Sequence, residues 1–374
     1  MFDIIVWGAT GYTGRIIAEY LLSEYGLDGE VSWALAGRSK ERLVALCDDI
    51  GAPRSTPLIV ADSDDPASIR AMVGSGRAIV STVGPYQLYG SDLVAACAEA
   101  GVDYLDLCGE VNWMAAMIAA HQQTAQASGA RLLFSSGFDC IPFELGVYAV
   151  QQEAIRAWGK PACRVNGRVR GLRGSMSGGS LATGEVLGAA LAKDPSLLAL
   201  MGDPFALTGG DKGPQQPPCD KRYDDPDVGP VAPFFLSVIN TKLVHWSHKL
   251  MGHPWGRDFQ YEEMSFVTAD GPVGFRPLAT PYKPGDGPSR AEREQGMFDI
   301  LFIALGEDGK RLRLSVSGDS DPGYGCTAKM LTEAAIALLQ SPEVPGGFWA
   351  PGAALKERLI ARLEAHAGMK FVVE

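Results

Sequence analysis

Val6-Trp7-Gly8-Ala9-Thr10-Gly11-Tyr12-Thr13-Gly14 is an apolar run that stops at a glycine, with two further glycines at three-residue spacing. A segment follows in which Ile16, Ile17, Tyr20 and Leu21 share one helical face. Strand, glycine-rich turn and helix in that order give each glycine a task. The first permits a tight turn after the strand. The second lets the backbone approach a pyrophosphate, and the third lets helix and strand pack closely. The helix then offers free N–H groups and the positive end of its dipole to phosphate oxygens. A bare glycine triplet is weak, but this one opens a strand–helix unit, the setting a dinucleotide site requires. A purely structural turn is the alternative.

Working outward, short apolar runs recur at Ile4–Trp7, Val31–Leu35, Leu58–Val60, Ala78–Ser81, Val102–Asp106 and Leu132–Ser135, with helical patterns between them. Alternating strands and helices predict a six-stranded parallel sheet covered on both faces, the doubly wound Rossmann arrangement. The second run ends Ala36-Gly37-Arg38-Ser39. An NAD site would usually place an acidic residue here, to accept from the ribose 2′-hydroxyl. Arg38 instead offers two donors for a 2′-phosphate, so the reading is NADP(H); a solvated Arg before a helix capped by Ser39 is the alternative. Asp62, after the third run, either meets the adenine or caps the helix near Pro66. The cofactor-binding set is Gly8, Ala9, Thr10, Gly11, Tyr12, Thr13, Gly14, Gly37, Arg38, Ser39, Asp62, Ser81, Thr82, Val83, Gly84 and Pro85.

Ligands of this fold sit at the carboxyl ends of the strands. Three segments end there: Ser81 to Tyr86, Asp106 to Glu110, and Ser136 to Pro142. Hydride transfer needs position, while the proton needs a donor. The catalytic candidates are Tyr86, Glu110 and Asp139. For Asp139 the competing reading is a helix cap, and for Glu110 a charge in the first turn of the next helix. Cys140 as a nucleophile has no nearby histidine to support it.

Beyond the first third the pattern changes. Arg164 to Arg170 alternates polar and apolar residues, which predicts a half-exposed strand on which Arg168 and Arg170 face water or attract an anion. Asp299–Leu305 and Arg311–Ser317 read as a hairpin turning at Asp308-Gly309. The fold class is therefore α/β: an N-terminal Rossmann sheet plus a central α+β substrate domain with antiparallel strands. The expected divisions are 1–140 for the nucleotide domain, 141–325 for the substrate domain, and 326–374 for helices returning to the first. Residues 194–233 and 270–296 read as long loops. Ser175 to Thr183 is a Gly/Ser-rich turn entering a helix, a plain cap or an anion site. His245 and His248 share a helix face, but no acidic or Cys partner follows at ligand spacing, so no metal is expected. The apolar stretch from Phe234 to Leu250 is core, acyl pocket or membrane contact.

The chain has 374 residues, 46% of them hydrophobic, enough for two domains with sizeable cores. A formal net charge of -11 argues against nucleic acid. Seven cysteines, an odd number without CxxC spacing, argue against a disulfide framework and point to a reducing compartment, read as the cytoplasm. No apolar stretch is long enough for a membrane span, and the first residues read as a strand rather than a signal peptide.

These pieces together resemble the saccharopine dehydrogenase-like oxidoreductases. The likeness runs nearly end to end and is most specific at residues 8–14, 36–39, 82–86, 106–110 and 137–142. Residues 240–247 and 259–264 are similar to the branch of trans-acting enoyl reductases of glycolipid assembly. The resemblance implies NADPH-dependent reduction of a carbon–carbon double bond in a lipid or polyketide thioester, with hydride to the β-carbon and a proton to the α-carbon. It implies a small-molecule or acyl-thioester substrate and leaves peripheral membrane contact and a homodimer open. Two other readings remain: a saccharopine-type amino-acid enzyme, for which the arginines from Arg164 to Arg173 would have to bind substrate carboxylates, and a non-catalytic NADPH-binding scaffold. An apolar tunnel would favour the enoyl reductase and a small basic pocket the amino-acid enzyme.

Overall fold

The computed structural model describes residues 1–275, 282–283 and 285–374. The N-terminal third forms β1 (Phe2–Trp7), β2 (Trp33–Gly37), β3 (Leu58–Val60), β4 (Gly76–Ser81), β5 (Asp103–Leu105) and β6 (Arg131–Leu133). They lie in the order β6-β5-β4-β1-β2-β3, all parallel. The order reverses between β1 and β4, so their carboxyl ends open on a crevice. Val, Ile, Leu and Ala fill these strands because helices cover both faces, and the central ones are almost wholly buried.

A second sheet contains β7 (Arg164–Arg173), β8 (Tyr223–Asp225), β9 (Gly229–Pro233), β10 (Gln260–Thr268), β11 (Gly271–Pro272), β12 (Met297–Leu305) and β13 (Arg311–Gly318). The chain ends in two more strands. β14 (Gly347–Trp349) pairs parallel with β6 and makes the first sheet seven-stranded; β15 (Met369–Val373) pairs antiparallel with β13. The second sheet runs β15-β13-β12-β7-β10-β9-β8, with β11 beside β10. Only its β7–β10 pair is parallel. The helix Ile141–Trp158 packs on β12 and β13 and against the helices Ser237–Leu250 and Pro351–His366, and its first half is buried nearly all round, as a doubly covered helix segment must be. At Gly146 a Cβ would stand 2.1 Å from Phe302 Cε2, so this helix packs on β12 only through a glycine. One hydrophobic core therefore runs from Ile4 and Val6 through Phe143 to Phe298 and Phe302.

Several expectations are corrected. β7 is not half-exposed: it is an interior strand, with Asn166 and Arg168 buried. Alternation misleads here because the polar face is neutralised by protein rather than by water. Arg168 Nη2 lies 2.6 Å from Asp225 Oδ2 and 2.5 Å from Glu262 Oε2, and Arg170 pairs with Asp299 and Glu374. The first sheet has a seventh strand, supplied by a short run far along the chain. Residues 194–233 are not all loop: they hold a helix, Leu197–Gly202, as well as β8 and β9. β12 and β13 are joined by a 3-10 turn, Glu307–Gly309, rather than a two-residue turn. Of the expected 270–296 loop, residues 276–281 and 284 lie outside the described residues, and the remainder includes β11 and a short helix, Arg290–Glu294. Phe234, Leu236, Leu243, Val244 and Trp246 are core, whereas Phe235 and Val238 are exposed. Among the described residues no helix is long and apolar enough to cross a membrane.

Candidate active site

The turn after β1 has the geometry its glycines suggested. Gly8 adopts φ +85°, and a Cβ there would lie 2.7 Å from Val83 Cγ2. At Gly14 a Cβ would stand 2.2 Å from the Gly8 carbonyl oxygen, so only glycine brings the helix Tyr12–Tyr25 this close to the turn. Gly8 and Ala9 donate their N–H groups to Ala36 O at 3.1 Å, joining the turn to β2. Thr82 fastens it to β4 through its N–H to Trp7 O and its hydroxyl, which lies 3.1 Å from Trp7 O and 3.3 Å from Gly8 O. Ser81 is buried at the end of β4 and pairs in register with Trp7. The result is a tight backbone turn at the start of a helix, which fits a pyrophosphate.

At the far end of the crevice Gly37 closes β2, and its missing Cβ would sit 3.7 Å from Thr10 Oγ1. Arg38 is exposed and has no partner among the described residues, so its guanidinium is free for a phosphate. Ser39 accepts from Arg42 N and caps the Lys40–Ile50 helix. Asp62 is not the cap of the next helix. Asp65 takes that place by accepting from Ala67 N, and Asp62 Oδ1 accepts from Asp64 N. Tyr12 points away from the turn to hydrogen-bond the Pro288 carbonyl oxygen, with Arg293 beside its ring.

The reacting end is a cleft of about 170 Å³ lined by Thr13, Thr82, Gly84, Asp139, Ser180 and Tyr324 among others. It brings Tyr86 and Asp139 together, while Glu110 stands behind them. Tyr86 is buried and its hydroxyl is engaged twice, donating to Ser81 O and accepting from Leu107 N, both at 3.1 Å. Burial raises its pKa well above that of a free phenol. It pins β4 to the segment after β5. Glu110 is fully buried and accepts from Tyr86 N at 2.7 Å and Gln87 N at 3.0 Å, which fixes the loop of Gly84 and Pro85. Burial raises its pKa against those two donors. Behind it Asp106 accepts from Cys108 N, Ser135 N and Tyr104 Oη, and burial pushes it to about 7.

Asp139 differs from both. It does not cap the Ile141–Trp158 helix: Cys140 occupies that position and contributes no side-chain cap. Its carboxyl is partly buried, lines the cleft and has no hydrogen-bond or ion-pair partner among the described residues. Burial alone pushes it up to about 6. Cys140 is buried, and burial raises its thiol well above the ordinary value, which suppresses the thiolate.

The opposite wall comes from two segments. Ser177 caps the helix Gly178–Lys193 by accepting from Ser180 N, the cap being one of the two readings the Gly/Ser-rich turn left open. Tyr324 sits on a π-helical turn, Pro322–Cys326, and was not singled out in the sequence. Asp321 Oδ2 holds that turn by accepting from Tyr324 N and Gly325 N. The Tyr324 hydroxyl accepts from Ser177 N and lies 2.8 Å from Ser180 Oγ, and its ring stands edge-on to Tyr12 at 5.0 Å. Its one sequence signal is the turn-forming run Asp321-Pro322-Gly323 ahead of a helix. His245 and His248 pack among aromatic rings, His248 stacked on Trp255 at 4.9 Å, rather than facing the cleft. Three of the four arginines of β7 are taken up by carboxylates, Arg164 by Glu262, Arg168 by Asp225 and Glu262, Arg170 by Asp299 and Glu374, while the exposed Arg173 donates to Gln295 O at 3.3 Å.

Residues 4–133 match the family model of the saccharopine dehydrogenase NADP binding domain. A Mycobacterium tuberculosis protein provisionally named a trans-acting enoyl reductase is 35% identical over 97% of this chain and 96% of its own length. A trans-acting enoyl reductase of Mycobacterium leprae is 33% identical over 97% and 95% respectively. Among solved structures, apo saccharopine dehydrogenase (L-Glu forming) of Saccharomyces cerevisiae aligns with 100% of this chain and 99% of its own, at a TM-score of 0.55 and 9% identity, a likeness of fold alone.

Proposed function

The chain belongs to the trans-acting enoyl reductases of the saccharopine dehydrogenase-like family and is an NADP-dependent oxidoreductase, and from that premise we propose that it reduces the carbon–carbon double bond of an α,β-unsaturated lipid or polyketide thioester. Residues 1–140 would hold the dinucleotide, 141–325 the substrate, and 326–374 would return to the first unit. The pyrophosphate would rest on the backbone of residues 8–14 and the 2′-phosphate on Arg38. When bound, the dinucleotide supplies a hydride for the β-carbon.

The single observation that carries this reading is the Asp139 carboxyl, unpartnered and raised to about 6 within the cleft. A group of that pKa keeps a protonated fraction near neutral pH that can deliver a proton to the α-carbon, and it regains one from solvent. Facing it, the two hydroxyls of Tyr324 and Ser180 share one hydrogen bond between them. One hydroxyl hydrogen is left over, and it can be donated to the thioester oxygen as negative charge gathers there. Tyr86 and Glu110 act by positioning: their bonds keep the 82–86 loop against the glycine turn. The saccharopine-type alternative needs free cations for substrate carboxylates, and Arg164, Arg168 and Arg170 are already paired with carboxylates, which leaves it the exposed Arg173.

The test follows NADPH consumption with a 2-enoyl thioester, using NADPH deuterated at the transferred position. Deuterium at the β-carbon of the product supports the reading. Consumption with lysine and a 2-oxoacid, but not with enoyl thioesters, would transfer the assignment to imine chemistry. NADPH binding without turnover of either class would leave the scaffold reading.

A further inference from the structure

A second cavity, of about 760 Å³, opens beside the helix Ser237–Leu250 and shares no lining residue with the cleft. Its wall is mainly apolar: Phe205, Phe234, Phe235, Val238 and the prolines Pro217 and Pro218. Phe235 and Val238 are 45% and 46% exposed, an unusual expense of apolar surface on one helix start. Set into this wall is Lys242, only 2% exposed. Its Nζ donates to Met201 O at 2.7 Å and Val238 O at 2.6 Å. An ammonium has three hydrogens, and the third has no partner among the described residues. No carboxylate lies within ion-pairing distance of it among those residues, since Asp203, at the same cavity, pairs with Lys212 at 3.2 Å.

A buried cation without a counter-ion is costly, and an apolar wall around it makes it costlier. Burial indeed lowers the Lys242 pKa to about 8, partly offset by Asp203, which leaves the side chain largely charged at neutral pH. Two carbonyl oxygens neutralise part of that charge, so what the site lacks is an anion with an apolar body. We propose that this groove binds a long-chain carboxylate, its head accepting from Lys242 and its chain lying along Phe205, Phe235 and Val238. The ligand is distinct in place from the substrate of the cleft, and the site does not depend on the reaction assigned there.

The full chain would be titrated with 11-(dansylamino)undecanoic acid, following dansyl fluorescence, and with the corresponding alcohol. NADPH titration of each variant, by nicotinamide fluorescence, checks that the nucleotide unit is folded. The acid is expected to bind at least tenfold more tightly than the alcohol. Lys242→Met should remove that preference and leave NADPH binding unchanged. Because Met201 O and Val238 O lose their donor in that variant, Val238→Glu provides a second arm: exposed at the rim, it should weaken the acid at least tenfold by placing a like charge on its path. Equal binding of acid and alcohol, an acid affinity untouched by both substitutions, no acid binding, or displacement of the acid by NADPH would each overturn the proposal.

Discussion

Among the candidate site residues, Asp139 and Arg38 are charged side chains without a hydrogen-bond or ion-pair partner among the described residues. Partial burial favours the neutral form of Asp139, so its carboxyl ionises near pH 6 rather than near 4. If it delivers the α-proton, the protonated form is the active one. Turnover should then fall about tenfold per pH unit above 6, as the acid form disappears. Asp139→Asn should lower kcat roughly a hundredfold and abolish that pH limb, while NADPH binding stays unchanged. A steady-state profile from pH 5 to 9 reads both effects; an unaltered limb in the variant would assign it to another group. Arg38, exposed and unpartnered, should matter for affinity instead. Arg38→Ala is expected to weaken NADPH about tenfold, or ~1.4 kcal/mol, with little change for NADH. Equal losses for both nucleotides would show that Arg38 does not read the 2′-phosphate. Arg38 was legible because it follows the second strand at a fixed place in a local motif. Asp139 was visible as a residue, but whether it caps a helix or faces a cleft depends on backbone angles at Cys140 that no spacing reveals. Tyr324 was not legible, because a distant π-helical turn brings it against Ser177 and Tyr12.

At the scale of elements, the first sheet was readable and the second only in part, for one physical reason. Buried parallel strands are continuous apolar runs, and β1 to β6 each announced themselves that way. β14 is only three residues long and finds its place by docking beside β6, information absent from its own sequence. β7 was misread because an alternating strand can satisfy its polar face with buried ion pairs. Arg168 is fully buried there between Asp225 and Glu262, with Tyr223 Oη 2.8 Å from its Nη2. Burial is the largest single influence and works to raise the Asp225 pKa, yet the hydrogen bonds from Arg168, Asp227 and Val228 and the Arg168 charge together outweigh it, and the net effect is a lowering. Arg168→Met would leave two buried carboxylates without their common cation, with only Arg164 still near Glu262. The expected loss is about 3–5 kcal/mol of unfolding free energy, read by chemical denaturation at neutral pH. A loss below ~1 kcal/mol would mean that water enters the cluster and screens it.

For the whole molecule, burial acts in the same way on carboxylates that pair directly with no cation among the described residues. Where the two sheets meet the intervening helices, Glu144 and Glu263 are buried, and burial raises each to about 8. Glu144 Oε2 accepts from Ser247 Oγ and Gly352 N, while Oε1 is buried without a partner, the atom on which a proton would rest. Glu263 accepts from Asn240 Nδ2 and Tyr261 Oη. Asp106, raised to about 7, acts in the same sense, as do Asp139 and Asp321, each raised to about 6. In the unfolded chain these groups ionise near pH 4. Between about pH 4 and 8 the native protein therefore holds more protons than the unfolded chain. Its stability falls as pH rises through that window, by at most about 1.4 kcal/mol per pH unit for each group. Carboxylates shifted downward, such as Asp225, act in the opposite sense, but only in acid below the ordinary carboxylate range. Thermal melting should thus give a higher Tm at pH 6 than at pH 8. Glu144→Gln keeps an oxygen for Ser247 and Gly352 without carrying a charge, so it should flatten the slope; Glu263→Gln should do the same for Asn240. A Tm that climbs from pH 6 to 8, or a slope indifferent to both substitutions, would mean that these carboxylates are ionised and solvated in the folded protein, and that the junction between the sheets is wet rather than dry.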